Sequence, residues 1–268
     1  METQTLERVL ARVRDIAIAA GREIQRVAAD GVTAEEKADG SPLTRADTAS
    51  HEAIAAGLAE LEPKLPVLSE EGDLEQQGMA AWRVFWCVDP LDGTKEFVKG
   101  LTEYTVNIAL VEDGRPVLGV VYVPAQDVLY YAAAGLGAWK AEGGGEPTRI
   151  HARQVDKPER AVVSRSHLSA ETEEFLKRLG VTEMVQHGSS IKICAVAEGK
   201  ADIYPRHGPT CLWDTAAGTA VALEAGCAVV DLAGEPLSYR PADGIKKTGF
   251  LVYPRLLTDQ VCPALAEA

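Results

Sequence analysis

Several features that would place a chain in a familiar class are missing here. The five cysteines, Cys87, Cys194, Cys211, Cys227 and Cys262, are an odd number, never spaced as C-x-x-C, and mostly set in apolar runs. That pattern speaks against a disulfide framework and predicts free buried thiols in a reducing compartment, the cytoplasm. No apolar run approaches the ~18 residues needed to cross a bilayer, and the opening METQTLERVLARVRDIAIAA carries charges throughout, unlike a secretory leader. Basic charge is in deficit: 27 Lys and Arg against 40 Asp and Glu leave a net charge of -13. Such a surface repels polyanions, so a DNA or RNA polymer is not the expected partner. His51, His151, His187 and His207 show no zinc-ligand spacing, and no G-x-G-x-x-G or Walker loop occurs. Internal repeats and low-complexity segments are also absent.

What remains is an ordinary folded composition, 268 residues with 46% hydrophobic and 25% charged. Leu6, Val9, Leu10, Val13, Ile16, Ala17 and Ile24 recur at helical spacing, and residues 48–60 repeat the pattern with Asp47 as N-cap. PVLSEEG and WRVFWCVD read as short buried strands that end in carboxylates. From 104 to 139, strand-like segments alternate with turns, Asp113-Gly114 among them, which predicts an antiparallel meander. The polar, glycine-rich stretch 141–160 is the expected crossing between sub-domains, 1–155 and 156–268. Beyond it, RAVVSRSH, SAETEEFLKRLG, KICAVAEGK, ADIYPR, DTAAGTAVALEAG and CAVVDL read as strand, helix, helix, strand, helix and strand. The first half is α+β, the second α/β, with a ligand cleft expected between them.

The run WCVDPLDGTKEF, 86–97, concentrates the chemistry. Pro90 holds Asp89 extended, Gly93 permits a sharp turn, and a helix can start at once, so Asp89 and Asp92 converge from one turn. Two aspartates and the Leu91 carbonyl form part of an oxygen shell for a hard divalent cation. The N–H groups of Gly93, Thr94 and Lys95 would face a phosphate oxygen. Plain turn chemistry accounts for D-P-x-D-G equally well when the run is taken alone. Glu70 at a second strand end and Asp214 at a helix start supply further carboxylates, enough for two ions.

DGSPLTRAD, VLSEEG, DPLDGTKEF, GSSIK and WDTAAG, in this order between 39 and 218, resemble the inositol monophosphatase superfamily of Mg2+-dependent, lithium-sensitive phosphatases, most of all its 3'(2'),5'-bisphosphate nucleotidase branch. The resemblance covers nearly the whole chain and implies a layered α-β-α-β-α sandwich. It further implies that Glu70, Asp89 and the Leu91 carbonyl hold one Mg2+, and Asp89, Asp92 and Asp214 a second, with two or three ions in all. Asp47 and Thr94 match the pair that orients the attacking water, with no phosphoenzyme. Asp47 as a simple helix cap is the competing role, and the two are compatible. Glu71 reads as a solvated neighbour of Glu70 or a supporting contact.

By the same resemblance, Ser164, His167, Gly188 and Lys192 contact a nucleotide, with Arg206 near its second phosphate. Each also has a structural reading: Lys192 as a helix-start charge, His167 as a cap before LSAE, Arg206 as a surface ion-pair partner. The expected activity is removal of the 3'-phosphate from adenosine 3',5'-bisphosphate, in sulfur-assimilation housekeeping. Alternatives are an inositol or sugar monophosphatase and, in another class, a nucleotide-binding sensor without turnover. The family expectation is a homodimer without a membrane span, with weak peripheral membrane association left open.

Overall fold

The computed structural model describes residues 3–32, 34–36, 42–73, 78–165 and 168–266. Helix α1 (Thr3–Asp30) buries the stripe expected from its spacing, Leu6, Leu10, Val13, Ile16, Ala17, Ala20, Ile24 and Val27. A short antiparallel hairpin, β1 (Ala34–Glu36) with β2 (Pro42–Thr44), delivers the chain to α2 (Arg45–Ala59). That helix begins earlier than its periodicity indicates, and Asp47 is not its N-cap. Thr44 is, with extended backbone at φ -122 and ψ 164, and Asp47 stands at the third helical position, where its carboxylate accepts from the Thr44 N–H. The reciprocal bonding of a capping box fixes the start there.

The first sheet is built from β3 (Val67–Ser69), β4 (Val84–Asp92), β5 (Thr105–Glu112), β6 (Arg115–Val123), β7 (Val128–Ala133), β8 (Gly137–Glu142) and β9 (Thr148–Ile150), lying side by side in that order. Only β3 and β4 run parallel; the other neighbours are antiparallel. Helix α3 (Thr94–Val98) follows β4. Asp113 and Gly114, at φ 51 and 80, make the tight turn between β5 and β6. The glycine-rich stretch expected as a crossing stays on the sheet as far as β9.

The second half comprises β10 (Arg160–Ser164), α4 (Ala170–Arg178), β11 (Glu183–His187), α5 (Ile191–Ala197), β12 (Tyr204–Arg206), β13 (Thr210–Cys211), α6 (Leu212–Glu224), β14 (Cys227–Val230), β15 (Lys246–Lys247), β16 (Phe250–Pro254) and α7 (Thr258–Ala266). Strand β16 lies between β12 and β14, antiparallel to both, and β10 pairs with β11 in parallel.

Strict alternation along strands buried on both faces produces the layers. In β4, Trp86 and Val88 point to the core under α1 and α2, while Phe85 and Cys87 join the core that contains α5 and α6. In β16, Phe250 and Val252 face that same α5–α6 core, and Leu251 and Tyr253 face α4 and α7 through Phe175, Leu176, Val261 and Leu265. The order is therefore α1/α2, large sheet, α5/α6, small sheet, α4/α7: the α-β-α-β-α sandwich. The middle core draws on both halves, joining Leu68 and Tyr130 to Ile193, Ala217 and Val252. None of the described helices is long and apolar enough to cross a membrane.

Close approach of α6 to β6 requires Gly119, where an added Cβ would sit 2.2 Å from the Ala217 carbonyl oxygen. Because that neighbour is helix backbone, Gly119→Ala is expected to lower stability by about 1–3 kcal/mol in urea unfolding, whereas an unchanged midpoint would mean that the layers can separate at no cost.

Candidate active site

Because β3 and β4 are parallel, their C-terminal ends reach the same edge of the sheet. Glu70, one residue past β3, continues the ladder by donating its N–H to the Val88 carbonyl at 3.2 Å, which sets its side chain beside Asp89. The register between β4 and β5 then slips between Asp89 and Asp92. Within that slip Asp89 Oδ1 accepts the Leu91 N–H at 3.0 Å, and the Pro90 carbonyl accepts Ser50 Oγ at 2.7 Å. Gly93 turns the chain at φ 95 into α3, where a Cβ would press on the Glu103 carbonyl at 3.1 Å. The third carboxylate comes from the opposite half. Asp214 is the third residue of α6, and its Oδ2 accepts from Thr210 Oγ1 at 2.8 Å and from the Cys211 N–H at 3.0 Å. The helix start that caps α6 thus aims this carboxyl at the strand ends.

These elements bring one ligand oxygen each from Glu70, Asp89 and Asp214 within 4.8 Å of one another. That spacing is compatible with the division the resemblance implies, in which Glu70 and Asp214 serve two ions bridged by Asp89. Asp92 and Leu91 line the same cleft, and Asp92 Oδ2 is turned to Ser190 Oγ at 2.9 Å. Burial raises the Asp89 carboxyl well above its ordinary range, and Glu70, Asp92 and Asp214 push the same way. Asp92 is raised to about 6 by burial and by Asp214, and Asp214 is raised by burial. An all-oxygen, crowded set of this kind, with Asp89 buried and the others half-buried, fits a hard divalent cation, whose charge would relieve the repulsion. The Cys211 thiol beside it is pushed up to about 12 by burial and by Asp214, so it stays protonated and is no nucleophile.

Thr94 Oγ1 lies 3.0 Å from Asp47 Oδ1 and 3.1 Å from the Leu91 carbonyl. Asp47 Oδ2 is already engaged by the Thr44 N–H at 2.7 Å and Thr44 Oγ1 at 2.6 Å. The carboxylate is thereby held rigidly, and when the single Thr94 proton points to it, the lone pairs of Oγ1 face the cleft as acceptors.

Ser164, Gly188, Lys192 and Arg206 line the same cleft, of about 350 Å³, as the acidic cluster. Lys192 is buried, donates to the Ser189 carbonyl at 2.7 Å and sits 5.6 Å from the centre of the Tyr204 ring, so it is no solvated helix-start charge. Burial disfavours the charge on Arg206, but Tyr204, Asp214 and Asp92 outweigh it and raise its pKa. His167 lies outside the described residues. Glu71 is in the turn after β3 and is not among the described residues that line the cleft. Sequence patterning gave no notice of Ser190 and Asn107. Ser190 Oγ accepts from Asn107 Nδ2 at 2.8 Å, and its one proton serves either Asp92 Oδ2 or the Asp214 carbonyl, 2.6 Å away. Serine and asparagine are too common for such a contact to show in one dimension.

Fold and site together define a metal-dependent phosphatase class, and the chain belongs to the inositol monophosphatase family, whose model matches residues 5–268. It is 48% identical over 246 residues to the 3'(2'),5'-bisphosphate nucleotidase CysQ of Escherichia coli O157:H7, covering 91% of this chain and 99% of that protein. Identity to the protein of the same name from Escherichia coli K12 is 51% over 216 residues, 81% of this chain and 87% of that one. The crystal structure of CysQ from Bacteroides thetaiotaomicron superimposes with a TM-score of 0.81 at 43% identity, over 93% of this chain and 98% of that one. The IMPase of Thermotoga maritima gives 0.77 at 26% identity, over 95% of each chain.

A carboxyl whose pKa is raised by folding favours the folded state while protonated and opposes it once ionised. Metal-free protein is therefore expected to lose stability as pH rises from the ordinary aspartate value of 3.8 through the value of about 6 at Asp92. Thermal scans should show a divalent cation raising Tm more at pH 8 than at pH 5, and an equal shift at both would contradict this electrostatic reading of the site.

Proposed function

We propose that this chain is a Mg2+-dependent 3'(2'),5'-bisphosphate nucleotidase that hydrolyses adenosine 3',5'-bisphosphate to AMP and phosphate. The observation that carries the chemistry is the meeting of Glu70, Asp89 and Asp214 oxygens within 4.8 Å. The substrate is supported by the relatives that are 48% and 51% identical, both named as bisphosphate nucleotidases. When bound, two or three Mg2+ ions would neutralise the dianionic phosphomonoester and lower the pKa of a water. Glu70, Asp89, the Leu91 carbonyl, Asp92 and Asp214 are the groups that would hold them.

The remaining work falls to the chain itself. Asp47 takes the Thr94 hydroxyl proton in a 3.0 Å hydrogen bond, which frees the Thr94 oxygen to accept from water and aim it at phosphorus. Attack breaks the bond between phosphorus and the 3'-oxygen, and the leaving oxygen ends protonated as the ribose hydroxyl. No covalent intermediate forms on the protein. The N–H groups of Gly93, Thr94 and Lys95, in the turn that opens α3 and on the lining of the cleft, would face the transferred phosphate. Lys192 and Arg206, with Ser164 and Gly188 alongside, supply the second cationic zone that a bisphosphate needs and a monophosphate does not. The free cysteines support a cytoplasmic location.

Phosphate release from adenosine 3',5'-bisphosphate and from inositol 1-phosphate, each with Mg2+, without it and with added Li+, tests the assignment. Turnover should need Mg2+, fall with Li+ and favour the bisphosphate, and a clear preference for inositol 1-phosphate would replace it with the monophosphatase reading. Binding of the bisphosphate with no phosphate released at saturating Mg2+ would instead make the protein a sensor.

Two substitutions probe the roles separately. Thr94→Ala is expected to lower kcat by about 10²–10⁴ while KM changes little. Asp92→Asn should abolish turnover yet leave the metal-free protein at least as stable, because one like charge is gone, and a metal-free Tm well below wild type would contradict that.

A further inference from the structure

Glu103 lies in the segment between α3 and β5, on the metal-bearing half, and its side chain is only 12% exposed. Its Oε1 is 2.9 Å from His187 Nδ1, and its Oε2 accepts from the Gly188 N–H at 3.0 Å and from Arg165 Nη2 at 3.0 Å. All three donors belong to the other half. The Glu103 backbone makes the same junction: its carbonyl oxygen is 3.1 Å from where a Cβ of Gly93 would lie and 2.9 Å from that of Gly188. One residue therefore touches both the turn that starts α3 and the turn 188–190 across the cleft.

That second turn is strained and faces the ligand space. Ser189 is held in the left-handed region at φ 46, where a residue with a Cβ persists only if its surroundings hold it. Its hydroxyl is buried with no hydrogen-bond partner among the described residues, and its carbonyl accepts from Lys192 Nζ at 2.7 Å. Two anchors flank the strain: Ser190 bonded toward Asp92 and Asp214 on one side, Glu103 on the other. Exposed surface ion pairs contribute little, but a mostly buried carboxylate that accepts from three donors, one of them a backbone N–H, fixes geometry.

We propose that Glu103 is a positioning residue that clasps the turn 188–190 to the metal-bearing half and so presents Gly188, Ser189 and Lys192 to the bisphosphate. The effect on substrate rests on the nucleotidase assignment above; the effect on the turn does not. Without the clasp, Ser189 relaxes, the Lys192 ammonium loses its carbonyl tether, and affinity falls while the Asp47–Thr94 pair stays in place.

The test compares Glu103→Ala and Glu103→Gln with a control, Glu183→Ala, which removes the exposed ion pair to Arg160 at the far end of β11. In Glu103→Ala, KM for adenosine 3',5'-bisphosphate should rise about tenfold with kcat within about threefold of wild type. Hydrogen exchange of the 188–190 amides in substrate-free protein should quicken by about tenfold, and the Tm rise given by Mg2+ should be unchanged. Glu103→Gln, which keeps an acceptor for the Gly188 N–H, should shift both readouts in the same direction by less, and it decides the matter if the alanine variant does not fold. The control should move neither. Wild-type exchange at 188–190 together with wild-type KM, even with a lowered Tm, would overturn the proposal. Loss of all phosphate release by the wild-type chain would sink the nucleotidase assignment instead and leave the exchange result to judge the clasp.

Discussion

Repulsion among carboxylates crowded around the buried Asp89 is the constraint around which this structure is arranged. Asp89 is 1% exposed, and its carboxyl is pushed up by burial and by Glu70, Asp92 and Asp214 together. A chain left to itself would separate these groups, because like charges in a poorly solvated space destabilise each other. They stay together because each is fixed by backbone that has other reasons to be where it is. Glu70 is tied to the end of a parallel strand pair, Asp89 and Asp92 flank an irregularity in the strand next to the sheet edge, and Asp214 is bonded into the first turn of a helix packed between two sheets. The packing energy of the sandwich holds the cluster in readiness for a cation.

The single parallel pair in an otherwise antiparallel sheet acquires a meaning in this light. An antiparallel neighbour would have carried Glu70 to the opposite edge from Asp89; β3 and β4 instead end side by side. Helix α6 approaches the same edge from the other layer, as closely as Gly119 allows. Ser190 then closes the ring, with its hydroxyl between Asp92 and the Asp214 backbone and Asn107 behind it. Lys192 and Arg206 line the same cleft as these carboxylates, so charges of both signs share one lining. A polyanion that meets metal at one end and ammonium or guanidinium at the other matches that combination.

Much of this was readable in one dimension, for physical reasons. The stripe of α1 and the paired runs of β5 and β6 are long periodic signals, and D-P-L-D-G-T announces a turn between a strand and a helix. Motifs shared with a family carried the carboxylates to one place, which no spacing rule could have done. Local competition hid other elements. Asp47 is as good a cap as Thr44 by residue type, and only the reciprocal bonds decide between them. Strand β16 is a five-residue apolar run with no alternation, because both of its faces are buried, and α7 carries Pro263 within it, which argues against a helix. Glu103 and Ser190 are invisible in sequence because their partners lie 84 and 98 residues away. Similarly, whether Glu70 and Asp214 share an ion is a matter of tertiary distance.

The claim on which all else depends is that this carboxylate cluster is a cation site and not merely an acidic pocket. A crystal soaked in Mn2+, with anomalous scattering collected at the manganese edge, tests it most directly. The account expects a strong anomalous peak within coordination distance of oxygens from Glu70, Asp89 and Asp214 together. A saturating soak that leaves those oxygens without a peak, or places manganese elsewhere, would contradict it.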